Sequence, residues 1–141
     1  AEEALICLSA YTYSLGAGIT GILNPEGALC TATVNPEFEL RNYGSQNLSS
    51  ATLTYQYDAG ATQTINWTGS LSQGGTEIIQ LPAQTLGTGP HTLTVSCTSP
   101  NGGSDQNASN NSQSSLEGKV LTKIYLTSIP QFCEKIIKLL L

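Results

Sequence analysis

Ala51-Thr52-Leu53-Thr54-Tyr55-Gln56-Tyr57-Asp58 is the stretch whose pattern decides the fold. Ala51, Leu53, Tyr55 and Tyr57 take every second position, and Thr52, Thr54 and Gln56 fill the gaps. Side chains alternate across a strand, so a period of two predicts a half-buried strand with one apolar face. Asp58-Ala59-Gly60 then offers a turn. The next run, Thr62 to Thr68, places Ile65 and Trp67 on one side, and the two runs read as a hairpin.

The same pattern recurs outward. Downstream, Gly69 to Gly75 is a polar break, and Thr76 to Leu81 is a strand ended by Pro82, which has no ladder donor. Gly87-Thr88-Gly89-Pro90 is a turn cluster, after which Leu93, Val95 and Cys97 alternate with Thr92, Thr94 and Ser96. Upstream, Cys30 to Arg41 reads as a long strand interrupted near Pro36, with Phe38 and Leu40 on its inner face. Val120 to Leu126 is strand-like. Short strands separated by turn signals, with no long helical period between them, predict an all-β, immunoglobulin-like antiparallel sandwich of about seven strands. It is expected over residues 18–128, its clearest part between Gly27 and Leu126. An apolar N-terminal strand or extension covers residues 1–17, and a basic amphipathic tail, strand or short helix, covers 129–141.

The chain has 141 residues, enough for one domain with its own core. Charged residues make up 11% and hydrophobic ones 39%, which is not the composition of a disordered chain. Residues 1–118 carry nine acids against Arg41 alone, whereas 119–141 carry four lysines against Glu134. An acidic body lacks the basic face that nucleic acid requires. No stretch is apolar and long enough for a membrane-spanning helix.

Four cysteines, Cys7, Cys30, Cys97 and Cys133, show no CxxC or zinc spacing. Their even count in a lysine-poor chain suggests an oxidising compartment, hence a secreted or surface protein. Cys30 and Cys97 sit on two core strands far apart in sequence, the placement of cross-sheet disulfides in sandwich domains, so this pair is the favoured bridge. Cys7 with Cys133 is the less certain one, and four buried free thiols are the alternative.

Little here points to catalysis. His91 is the single histidine, at a strand start beside Pro90, and is expected to be an exposed strand-end residue. No nucleophile, phosphate-loop or metalloprotease motif accompanies it. Glu37 and Glu39 share the outer face of one strand and are expected to be solvated. Asp105, Asn107, Asn110 and Asn111 form an oxygen-rich loop that could take calcium, though with one formal anion, and Asn and Asp also favour turns by bonding their own backbone. No other cofactor is expected. Trp67, Tyr55 and Tyr57 could stack on sugars but are expected in the core, while Tyr11, Tyr13 and Tyr43 are candidate surface aromatics. Asn47, Asn66, Asn107 and Asn110 head glycosylation sequons.

The middle of the chain resembles the CARDB-like (cell-adhesion-related) immunoglobulin-like modules of secreted Bacteroidetes-type bacterial proteins. The resemblance rests on Leu40-Arg41-Asn42-Tyr43-Gly44, Leu53 to Asp58, Asn66-Trp67-Thr68-Gly69-Ser70-Leu71 and Leu81-Pro82. It continues through Gly89-Pro90-His91-Thr92-Leu93 and Pro100-Asn101-Gly102-Gly103 to Asp105, Asn107, Asn110 and Asn111, covering about residues 18–115. It implies a β-sandwich, export and a non-catalytic role beside proteases, adhesins or sorting tails. It names no ligand.

The expected function is therefore a non-catalytic extracellular structural or adhesion module. It would self-associate or bind a partner through strand edges, as in a pilus-like filament. Ala4, Leu5, Ile6, Leu8, Tyr11 and Tyr13 in the apolar run 4–13 would pair head-to-tail with another copy. The alternative is a domain, accessory to a secreted enzyme, that binds carbohydrate or another surface polymer. A hydrolase built on His91 is the least favoured reading.

Overall fold

The computed structural model describes residues 13–24 and 33–120, with side chains described as far as Ser115. The chain forms β1 (Ala17–Asn24), β2 (Thr33–Val34), β3 (Glu37–Asn42), β4 (Leu48–Tyr57), β5 (Gln63–Leu71), β6 (Thr76–Gln80), β7 (Gln84–Thr85), β8 (Gly89–Thr98) and β9 (Ser112–Val120). Two 3-10 turns, Pro100–Gly102 and Ala108–Asn110, lie between β8 and β9. One sheet has the order β1-β3-β6, the other β5-β4-β8-β9, and β2 pairs with β7 in a small ribbon. All of these pairings are antiparallel. Three strands packed on four make the expected immunoglobulin-like sandwich.

The alternating residues build the core. Leu53 on β4, Leu93, Val95 and Cys97 on β8, Phe38 and Leu40 on β3 and Ile19 on β1 are all essentially inaccessible. Each large apolar side chain so buried contributes roughly 1.5–3 kcal/mol before the entropy of ordering it. Register locks the two central strands face to face: Leu53 is opposite Cys97 and Ile65, and Tyr55 is opposite Val95 and Gln63. A slip of one residue would turn every apolar side chain outward. Trp67 is buried, as expected, and its indole lies over Gly69, where a Cβ would collide with the ring.

The hairpin expected from Asp58-Ala59-Gly60 is present between β4 and β5, with Gly60 N donating to Tyr57 O at 2.9 Å. Asp58 itself adopts φ 50°, which Asp tolerates better than most residues. The strand expected over Cys30–Arg41 breaks at Pro36 into β2 and β3. Pro36 is buried, and its carbonyl accepts from Leu81 N at 2.8 Å. The last strand begins earlier than expected, at Ser112, and everything beyond Val120 lies outside the described residues. No described helix is long and apolar enough to cross a membrane.

The expected Cys30–Cys97 bridge is corrected: Cys97 is a free thiol, fully buried. It points from the middle of the four-stranded sheet into packed core, and desolvation, with a smaller contribution from the charge of Asp105, pushes it up to about 12. A thiol held protonated in that setting behaves as a small apolar side chain. Cys7, Cys30 and Cys133 fall outside the described residues.

Candidate functional site

Strand direction gives the sandwich two distinct ends. The described chain enters at Tyr13 beside the β3–β4 turn, with Ser45 N donating to Tyr13 O at 2.8 Å and Gln46 N to Ser14 O at 3.1 Å. β9 runs antiparallel to β8 and reaches Val120 opposite Gly89, at the other end. Tyr13 thus marks one end of the sandwich, the entry end, and Val120 the other, the exit end.

The entry end is closed by side chains that cap backbone. Asn42, 1% exposed, donates from Nδ2 to Gln46 O and Leu71 O, both at 2.8 Å, and its Oδ1 accepts from Gly44 N at 2.9 Å. The loop 99–111 closes over it. Asn101 Oδ1 accepts from Ser49 N at 2.7 Å, and Asn101 Nδ2 donates to Asn47 O at 2.9 Å. Gln106 Oε1 accepts from Ser14 N at 2.8 Å. Asp105, the first of the candidate calcium ligands, accepts from Ala17 N at 2.9 Å with one oxygen and from Asn107 N at 2.8 Å with the other. Asn107 Oδ1 accepts from the Ser109 hydroxyl at 2.6 Å. Asn110 packs on Gly18, whose missing Cβ would lie 2.8 Å from its carbonyl oxygen. The amide oxygens of Asn110 and Asn111 are buried and unpartnered, and no cluster of three or more His, Cys, Asp or Glu occurs among the described residues. The structure gathers the four residues into one loop, where Asp105 and Asn107 cap backbone and fasten the start of β1 to the end of the β8–β9 loop. Sequence reasoning found the turn chemistry but not the partners, which lie up to 92 residues away.

At the exit end, His91 differs from the expected exposed residue. Its side chain is only 17% exposed and forms an ion pair, Nδ1 to Asp58 Oδ2, at 2.8 Å. Its Nε2 lies 3.0 Å from Gly87 O, so both ring nitrogens face acceptors. Asp58 Oδ1 in turn accepts from Thr92 N at 2.8 Å. The hydrogen bond from His91, then that from the Thr92 N–H, hold the Asp58 carboxyl below the usual range, against a small opposing cost of desolvation. This imidazole joins the β4–β5 turn to the β7–β8 loop. In a Ser-His-Asp arrangement, the nitrogen away from the carboxylate receives the nucleophile's proton; here it faces a backbone carbonyl.

Beside this clamp the β2–β7 ribbon lies against the end of β4. Tyr55 and Tyr57 face inward near the end of β4 and are half-buried against the core, and Tyr57 also packs on the small cluster of Val34 and Leu86. Between them and Gln84 of β7 opens a cavity of about 480 Å³. The alternation assigned these tyrosines to the correct side of the strand but not to the cavity beside them.

On the outer surfaces, Glu37 bonds Gln80 at 3.0 Å and Glu39 bonds the Thr20 hydroxyl at 2.6 Å. Tyr43 is half-buried under the Arg41 guanidinium, 5.2 Å from its ring centre. Tyr13 is half-buried at the entry end. Ala4, Leu5, Ile6, Leu8 and Tyr11 lie outside the described residues. One lateral side of the sandwich, where β1 approaches β8 and β9, is covered. The other ends in β5 and β6, each paired on one side only among the described residues.

No protein-family model matches the chain, and a search of curated proteins finds no match. Solved structures do match. The crystal structure of a CARDB domain from Pyrococcus furiosus, in complex with di-metal ions, aligns with a TM-score of 0.58 at 17% identity, over 77% of this chain and 98% of that one. The solution NMR structure of a CARDB domain from the same organism aligns with a TM-score of 0.55 at 18% identity over the same shares. Identity that low establishes architecture alone, and on that ground the chain has the CARDB-like fold.

Proposed function

We propose that the chain is a non-catalytic extracellular structural and adhesion module that self-associates or engages partners by strand addition. The observation that carries this reading is the pair of edges, on one side of the sandwich, that no described strand covers. Edge strands usually carry lysine, proline or a bulge that prevents further pairing. From Gln63 to Thr68, β5 has none of these and keeps unbroken register with β4 as far as Ser50. β6 offers Glu77 as its one charge, beside Ile78, which is 54% exposed. An extended segment can therefore add to either edge through main-chain hydrogen bonds. Residues 4–13, an apolar run of high strand propensity, supply such a segment from the entry end, so each copy could reach an edge of the next and build an open filament.

The test is sedimentation of the full chain over a range of concentrations, beside Thr64→Lys/Thr68→Lys and a deletion of residues 1–12. Thr64 and Thr68 are exposed, so the lysines leave the core intact. Larger species for the native chain and monomers for both variants, with unchanged circular dichroism, are expected. A native chain that stays monomeric throughout and takes up no peptide of residues 4–13 would overturn the proposal.

A further inference from the structure

We propose that the cavity at the exit end, between Tyr55, Tyr57 and Gln84, is a binding site for a neutral saccharide. The site shares only Gln63 with the β5 edge and does not depend on that edge's role in assembly. Its walls come from three elements. β4 supplies Tyr55, Gln56 and Tyr57, β5 supplies Gln63 opposite Tyr55 in register, and β7 supplies Gln84. The floor of the β4–β5 turn, Gly60 and Ala61, carries no large side chain. The cavity of about 480 Å³ falls within the range of ordinary small-ligand sites.

The chemistry of the lining selects the ligand. A pyranose presents apolar C–H patches within a rim of hydroxyls, each both donor and acceptor. Tyrosine rings offer large apolar faces with a polar tip. A glutamine amide has two donors and one carbonyl acceptor, so three glutamines match a hydroxyl rim in both senses. Gln56 is already oriented, its Nε2 donating to Gly60 O at 2.8 Å, which leaves its carbonyl oxygen available. Gln63 has no side-chain partner among the described residues. The lining holds no Asp, Glu, His, Lys or Arg. The nearby Asp58 carboxyl is already engaged, by His91 Nδ1 and Thr92 N. A phosphate, uronate or ammonium group would lose its hydration here without a counter-charge, which is costly. A purely apolar ligand would strip water from three amides and repay none of it.

The His91–Asp58 clamp holds the two walls at a fixed distance. Asp58 belongs to the turn that includes Gly60, and Gly87 lies in the loop after β7. The site is therefore preorganised, which lowers the entropic cost of binding a flexible sugar.

The experiment is a titration of the isotope-labelled full chain with cellobiose, laminaribiose, xylobiose and N,N′-diacetylchitobiose. Digalacturonic acid and a proline-rich decapeptide are the comparison ligands, and the readout is the side-chain amide resonances of Gln56, Gln63 and Gln84. At least one neutral disaccharide should shift these amides saturably at about millimolar concentration, and the acidic one should not. Gln63→Ala, at an exposed position, should weaken binding several-fold, and Tyr55→Ala should abolish it. Because Tyr55 also contacts the core, Gln63→Ala decides the matter if Tyr55→Ala misfolds. Silence of all three amides toward every neutral sugar overturns the proposal. So does a shift of the same amides by the peptide or the acidic sugar alone, or unchanged affinity in Gln63→Ala. None of these outcomes bears on whether the native chain sediments as a filament.

Discussion

Where Tyr13 enters the sandwich, side-chain oxygens are spent on backbone N–H groups; where β9 leaves it, an imidazole ties two loops beside an open cavity. The first arrangement uses neutral amides and a carboxylate on permanent donors. The second uses one imidazole placed between acceptors from two different loops. The contrast teaches where rigidity and adaptability are placed in this molecule: the entry end anchors the fold, and the exit end presents chemistry to solvent. Substitutions at the two ends should therefore separate stability from binding.

Asn42→Ala should have the largest effect. Its side chain is buried and makes three hydrogen bonds, so alanine leaves Gly44 N, Gln46 O and Leu71 O without that partner. Desolvated groups left unmade cost about 1–3 kcal/mol each, and some of them recover water, so a loss of ~3 kcal/mol is expected in urea denaturation. Asp105→Ala comes next, at ~2 kcal/mol, because two N–H groups lose a charged acceptor in a partly exposed place. Hydrogen exchange should show Ala17 N losing protection, while the glutamine amides at the exit end keep their shifts. If Asp105→Ala disturbed those amides instead, the two ends would not be independent.

Cys97→Ala tests the core between them. Removing one buried sulfur from a packed site should cost ~1 kcal/mol. Loss of a bridge to Cys30 would cost about 2–5 kcal/mol. The measurement is the difference in urea midpoint between the native chain and Cys97→Ala, each without reductant, which should correspond to ~1 kcal/mol. The unreactive thiol should also resist modification until the protein unfolds.

Those assignments also mark what the sequence could and could not reveal. The central strands β4, β5 and β8 were legible because one face of each is buried, and burial imprints a period of two on Ala51, Leu53, Leu93 and Val95. β9 was not, because Ser112-Gln113-Ser114-Ser115 lies at an edge and its polar residues carry no such imprint. The early strand Ala17–Asn24 is interrupted by glycines, and Gly18 is small because Asn110 presses on it, a reason written 92 residues away. Composition marked 101–112 as oxygen-rich, but only the fold reveals that Asp105 caps β1. Alternation likewise reports which side a tyrosine faces and says nothing of depth, so Tyr55 and Tyr57 read as core although a cavity opens beside them. His91 read as an exposed strand end because its acceptors, Asp58 and Gly87, come from two different loops.

The smallest effect, and the one most specific to the exit end, is expected from Asp58→Asn. Asparagine tolerates the positive φ of 50° at this position, so the change removes charge without straining the turn. The Asp58 carboxyl is held below its ordinary value of 3.8, chiefly by His91. A carboxyl lowered on folding adds stability that is complete above the ordinary value and is lost as pH falls through the lowered one. The variant should therefore unfold slightly more easily than the native chain near neutrality and match it in strong acid. Asp58 is half exposed, so the difference is small and shrinks further with salt. Urea midpoints of both proteins across the pH range, at low and high salt, provide the check, and parallel curves would show that the clamp holds by shape rather than charge.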